Sequence, residues 1–108
     1  MQTHLGKIKK AAFGWGGYNE SMIGLTVTLG GESWGVGDFW GAWGVQHTEF
    51  CKWTEDERRQ QLGDTCMRLS ELLNKAKVDS VEKLVGTSIE ATFDGNLLKS
   101  WRVLGEVL

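Results

Sequence analysis

MIGLTVTLGG, residues 22–31, is the stretch that decides the fold. Ile23, Leu25, Val27 and Leu29 fall on one side of an extended chain, and Gly24, Thr26 and Thr28 on the other. That is the two-residue period of a half-buried strand. Gly30-Gly31 then predicts a hairpin turn. The chain returns as a third strand over Trp34 to Val45. Trp34, Val36, Asp38, Trp40 and Ala42 share one face; Gly35, Gly37, Phe39, Gly41 and Trp43 share the other. Repeated glycine weakens a strand, so it marks a bulge or a close backbone approach. It also leaves flat gaps where a ring or a ligand can lie.

Working outward, Lys7 to Phe13 reads as a first strand and Gly14 to Asn19 as a glycine-rich turn. Downstream, Thr54 and Glu57 fit a capping box, and Glu55, Asp56 and Glu57 suit the positive end of a helix dipole. Leu62, Cys66, Leu69, Leu73 and Ala76 recur at steps of four and three, one apolar stripe on an amphipathic helix. Gly63 inside it costs about 1 kcal/mol against Ala, which predicts tight packing there, and Cys66 reads as a small core residue. Val78 to Gly86 is a short helix or turn, with Ser80 as its N-cap and Gly86 as its stop. Ile89, Ala91 and Phe93 alternate inward, Asp94-Gly95-Asn96 turns, and Leu97 to Leu104 returns with Trp101 and Val103 on the core face. The expected fold class is α+β: an antiparallel sheet of about five strands, order βββ-α-ββ, with one long helix packed on one face.

Composition narrows the function classes. A chain of 108 residues with 41% hydrophobic and 24% charged residues reads as a single globular domain spanning residues 1–108. No run of about 18 apolar residues suggests a membrane span. Met1 to Lys10 lacks the pattern of a secretory signal, so the expected location is the cytoplasm. Two cysteines are too few for a disulfide scaffold. A net charge of -2 argues against a general nucleic-acid binder. The charge is uneven, however. Residues 32–57 hold one Lys against six acids, and residues 58–78 hold five Arg and Lys against two acids.

Six Trp and 15 Gly stand out, and five of the Trp lie between Trp15 and Trp53. A domain this small cannot easily bury them all. Roughly half of the rings are expected in the core, the rest in a pocket or a subunit interface, where Trp anchors well. The candidate ligand-binding set is therefore Trp15, Tyr18, Trp34, Asp38, Trp40, Trp43, Trp53, Arg58 and Arg59. Purine bases stack on such rings, and Arg forks suit phosphate. Each has a plainer reading. The rings can fill the core. Gly14, Gly16 and Gly17 can cradle phosphate or simply connect strands. Arg58 and Arg59 can be a solvated helix face, opposed by Glu55–Glu57. Asp38 can accept from a ribose or an amine, or equally from a neighbouring Trp N–H. His47 and Cys51 are four apart, but a zinc site needs four ligands, so no metal and no cofactor is expected. No nucleophile, base and orienter stand together, so the chain is not read as an enzyme.

Gly16-Gly17-Tyr18, Met22-Ile23-Gly24-Leu25, Gly37-Asp38-Phe39-Trp40-Gly41, Lys52-Trp53-Thr54 and the run from Thr92 to Leu104 resemble a set of small uncharacterised proteins encoded by bacteriophages and prophages. The resemblance covers most of the chain. Gly37 to Gly41 and the C-terminal hairpin are its specific parts, and it carries over no catalytic residue. It implies an accessory phage protein acting in the host cytoplasm. Small phage proteins of this kind often block host defences, some by sequestering nucleotide-derived signals and others by binding an enzyme. Three functions follow as expectations: a sequestering protein for a small nucleotide-like ligand, forming a homo-oligomer; an inhibitor that docks on a host defence enzyme through exposed aromatics; or a single-stranded nucleic-acid binder on an aromatic sheet face.

Overall fold

The computed structural model describes residues 1–17, 20–44 and 52–104. Three strands come first, β1 (Gln2–Gly16), β2 (Met22–Gly30) and β3 (Gly35–Trp43). A long helix, α1 (Glu55–Ala76), and a 3₁₀ turn (Val81–Leu84) follow, then β4 (Ser88–Asp94) and β5 (Leu97–Val103). The five strands form one antiparallel sheet in the order β3-β2-β1-β4-β5. This is the expected α+β fold, with the helix after the third strand.

The expected faces are realised. Leu25 pairs with Trp40, Val27 with Asp38 and Leu29 with Val36, and cross-strand partners share a face. Ile89 pairs with Val103 and Ala91 with Trp101. The buried core is Ile8, Leu25, Val27, Leu29, Leu84, Ile89, Ala91, Phe93 and Val103. Leu69, Leu72, Leu73 and Ala76 of α1 pack against it.

β1 is the organising strand, and it is longer than its apolar pattern suggests. Residues Gln2 to Lys7 pair with β4, whereas Lys7 to Gly16 pair with β2. The two hairpins therefore flank different halves of one strand and overlap only at Lys7. A bulge at Lys9, between Ile8 and Lys10, sits at this junction. Bulges bend a strand and raise its twist. Here the bend brings the two outer strands together: Trp101 Nε1 on β5 donates to Asp38 Oδ2 on β3 at 2.8 Å, across 63 residues of chain. The sheet thus curls, and α1 lies against β3 and β5 on its inner side.

The helix begins and ends for local reasons. Thr54 is extended, and its side chain accepts from the Glu57 N–H at 3.1 Å. Lys77 takes the left-handed conformation at φ 60° and ψ 40°. Its N–H reaches Asn74 O at 3.1 Å, and the Val78 N–H reaches Leu73 O at 3.1 Å. These bonds satisfy the last carbonyls of the helix.

Several expectations need correction. Cys66 is exposed; the buried residue at that level is Thr65, only 7% accessible. The stripe follows Leu62, Thr65, Leu69, Leu72, Leu73 and Ala76, one position off at its centre. Gly63 is not tightly packed, because an added Cβ there would meet nothing within 4 Å. Gly63→Ala is therefore expected to raise stability by about 1 kcal/mol, read as a shift of the urea midpoint. An unchanged or lower midpoint would reject this account. Trp34 precedes β3, in the four-residue turn where the Gly31 N–H donates to Trp34 O at 3.0 Å. Ser80 stands at the cap of the 3₁₀ turn but makes no side-chain capping bond. Finally, none of the six Trp is in the fully buried core, which is aliphatic apart from Phe93. The rings sit around its rim.

Candidate functional site

The nine candidate residues do not form one site. Tyr18 lies outside the described residues, as do His47 and Cys51. The other eight fall into three places.

The first is a ring cluster at one end of the sheet. Trp34 packs edge-on to Phe93, centroids 5.4 Å apart, and tilted against His4 at 6.1 Å. Gly6 and Gly31 make room for it, since a Cβ on either would run into the Trp34 ring. The ring therefore ties the β2–β3 turn to β1 and β4 and packs against the edge of the core.

The second lies where β3 leads towards the helix. Trp43 and Trp53 stack at 5.9 Å with planes 12° apart. The Gln61 side chain of α1 accepts from the Trp43 N–H at 3.3 Å. Arg58 donates from Nε and Nη2 to Glu55, the shortest distance being 2.7 Å, and Arg59 approaches the same carboxylate at 3.7 Å. These hydrogen bonds raise the Arg58 pKa further above its ordinary value. Glu55 thus answers both arginines within the helix, which leaves less of their charge for an outside anion. Trp15 is 60% exposed and Phe13 44%. Both are on the half of β1 that β4 does not reach. Of the neighbouring glycines, Gly14 and Gly16 are inside β1, and Gly16 and Gly17 serve packing, since a Cβ on either would press on the Phe39 ring.

The third place is a cleft of about 290 Å³ between α1 and β5. Trp40, Arg68, Glu71, Leu72, Lys75, Trp101, Arg102 and Val103 line it. Arg68, Glu71, Leu72 and Lys75 occupy one flank of α1, at helical spacings of three and four. The Arg68 guanidinium lies over the Trp40 ring, 4.4 Å from its centroid. Trp101 is fixed by its bond to Asp38, whose other oxygen accepts from the Phe39 N–H at 2.9 Å. Of the two uses open to Asp38, the structure shows the tryptophan N–H. Arg102 pairs with Glu90 at 3.1 Å. Lys75 and Glu71 form no ion pair with any described residue. The buried Trp40 Nε1–H likewise meets no acceptor among the described residues.

Chemically, the cleft offers two indoles, the cations Arg68 and Lys75 and one acid, while Arg102 borders it with its charge answered by Glu90 on the other face of the sheet. It is just below the usual range for ligand pockets, roughly 300–1,000 Å³. Asp38 and Trp40 were legible as candidates from the sequence. Arg68, Glu71, Lys75, Trp101 and Arg102 were not. The only sequence signal for them was the basic balance of residues 58–78 and the core-face position of Trp101. Among the described residues no cluster of His, Cys, Asp and Glu could hold a metal ion, and no helix is long and apolar enough to cross a membrane.

Comparison with protein-family models, with curated proteins and with solved structures found no match to this chain. The chemistry of the site therefore carries the functional argument.

Proposed function

We propose that this chain is a non-catalytic binding protein that captures a small nucleotide-like ligand in the cleft between α1 and β5. One observation carries the reading. Trp40 and Trp101 line the same small cleft as Arg68 and Lys75. Stacking surface beside clustered cations is what a base joined to a phosphate requires. Trp101 is pre-organised by Asp38, so little ordering is left to oppose binding. With the resemblance to phage proteins, the reading becomes an accessory phage protein that sequesters a nucleotide-derived signal in the host cytoplasm and so counters a defence system.

The test is a titration with mononucleotides and cyclic nucleotides, followed by Trp fluorescence and melting temperature. A saturable fluorescence change is expected, with a stabilisation of about 2.7 kcal/mol at a hundredfold excess over Kd. Lys75→Glu, an exposed change, should weaken binding about tenfold or more without altering the melting temperature of the free protein. No response to any nucleotide at millimolar concentration would end this reading.

A second reading rests on Phe13 and Trp15. Two exposed rings on the strand half that β4 does not reach suit a protein partner, either a host enzyme or a second copy in a homo-oligomer. Trp15→Ala would then abolish the stoichiometric complex, or the oligomer seen by light scattering, and leave nucleotide binding intact. The aromatic-platform reading for single strands has less support. The helix lies over the face that carries Trp40, so the ring is not on an open sheet surface.

A further inference from the structure

We propose that the ligand of the α1–β5 cleft carries a guanine base, recognised by Glu71; this rests on the nucleotide-binding reading above. Among the described residues Glu71 is the only acid lining a cleft that holds Arg68 and Lys75. It is three residues after Arg68 and four before Lys75, spacings at which side chains on a helix readily pair. Yet it forms an ion pair with neither, nor with any other described residue. An exposed carboxylate without an ion pair therefore borders a cleft that Trp40 and Trp101 also line.

An ionised carboxylate only accepts hydrogen bonds, with two oxygens side by side. Guanine presents two adjacent donors on one edge, N1–H and the exocyclic amine. Adenine and cytosine present one donor beside an acceptor, and an acceptor facing a carboxylate is repelled. A base stacked on Trp101 with its pairing edge towards Glu71 is thus matched in both bonds only when it is guanine. Lys75, also without an ion-pair partner among the described residues, is one helical turn further on and supplies charge for the phosphate. The division of labour is the ordinary one: phosphate contacts hold the ligand, edge contacts select it.

The test compares guanosine, inosine and adenosine 5′-monophosphates by Trp fluorescence, on the wild-type protein and on Glu71→Gln. Glu71 is exposed, so the variant is expected to fold with an unchanged melting temperature. The wild type should bind the guanine nucleotide about tenfold to a hundredfold tighter than the adenine one, the worth of one bidentate pair. The inosine nucleotide, which lacks the amine, should fall between them. Gln offers one acceptor and one donor, so Glu71→Gln should lose the guanine preference and gain for adenine. Equal binding of all three, or a guanine preference that survives Glu71→Gln, overturns the guanine assignment and leaves the nucleotide reading standing. Binding of none of them overturns both.

Discussion

Gly24→Ala is expected to cost about 3 kcal/mol or more, enough to leave much of a domain of ordinary stability unfolded in mild urea. Gly24 and Gly41 are register partners on β2 and β3. A Cβ on Gly24 would strike the Trp40 carbonyl oxygen and come within 2.5 Å of the Gly41 Cα. A Cβ on Gly41 would strike the Ile23 carbonyl oxygen and come within 2.8 Å of the Gly24 Cα. The obstacle in each case is backbone, which cannot swing aside as a side chain can. Relief would require parting β2 from β3, and with it the Leu25–Trp40 pair beside the junction. Gly41→Ala should behave alike. Gly14→Ala is the control: it is on β1, where an added Cβ meets nothing within 4 Å, and its midpoint should stay level or rise. Equal urea midpoints for Gly14→Ala and Gly24→Ala would refute the close-approach account.

The second large effect concerns the bond that joins the outer strands. Asp38→Ala is expected to cost roughly 2 kcal/mol, the worth of a hydrogen bond to a charged acceptor. It strands the Trp101 indole N–H and unties β3 from β5. Trp101→Phe removes the same bond from the other side. If Asp38 acts chiefly through Trp101, the double variant should be more stable than the sum of single costs allows, by about 1 kcal/mol or more. Asp38→Asn keeps an acceptor and should retain most of the stability. Strictly additive costs would mean that the bond does not hold the curled sheet together. The same variants report on the cleft. Releasing Trp101 should weaken ligand binding even though Asp38 does not line the cavity.

How far these residues could be found from the sequence depended on the range of the interaction behind them. The faces of β2 and β3 were legible because alternation is a property of neighbouring residues. The start of α1 was legible because Thr54 caps a bond only three residues away. The glycine run Gly35 to Gly41 announced a close approach, and Gly41 makes one. Cys66 was misplaced because strict steps of four and three define a narrow line, whereas α1 buries a broad stripe. Which residues occupy the middle of such a stripe depends on how the helix is rotated against the sheet, and Thr65 won that position. Gly63 was misread for the same reason: a helix glycine signals either tight packing or mere tolerance, and only the neighbours distinguish them. Trp15 was legible as a candidate, but its exposure follows from where β4 ends.

The sequence by itself determined the element order, the inward faces of four strands, and the surplus of rings over what an aliphatic core can hold. The tertiary structure alone decided that β4 pairs with the first half of β1 and β2 with the second, and that a bulge at Lys9 bends the strand between them. It also decided that Trp101 reaches Asp38 across 63 residues. From that curl come the cleft and its set of Trp40, Arg68, Glu71, Lys75 and Trp101. Periodicity records how each residue sits relative to its neighbours. It does not record the stagger between strands, and here the stagger sets which charged helix residues face which indole.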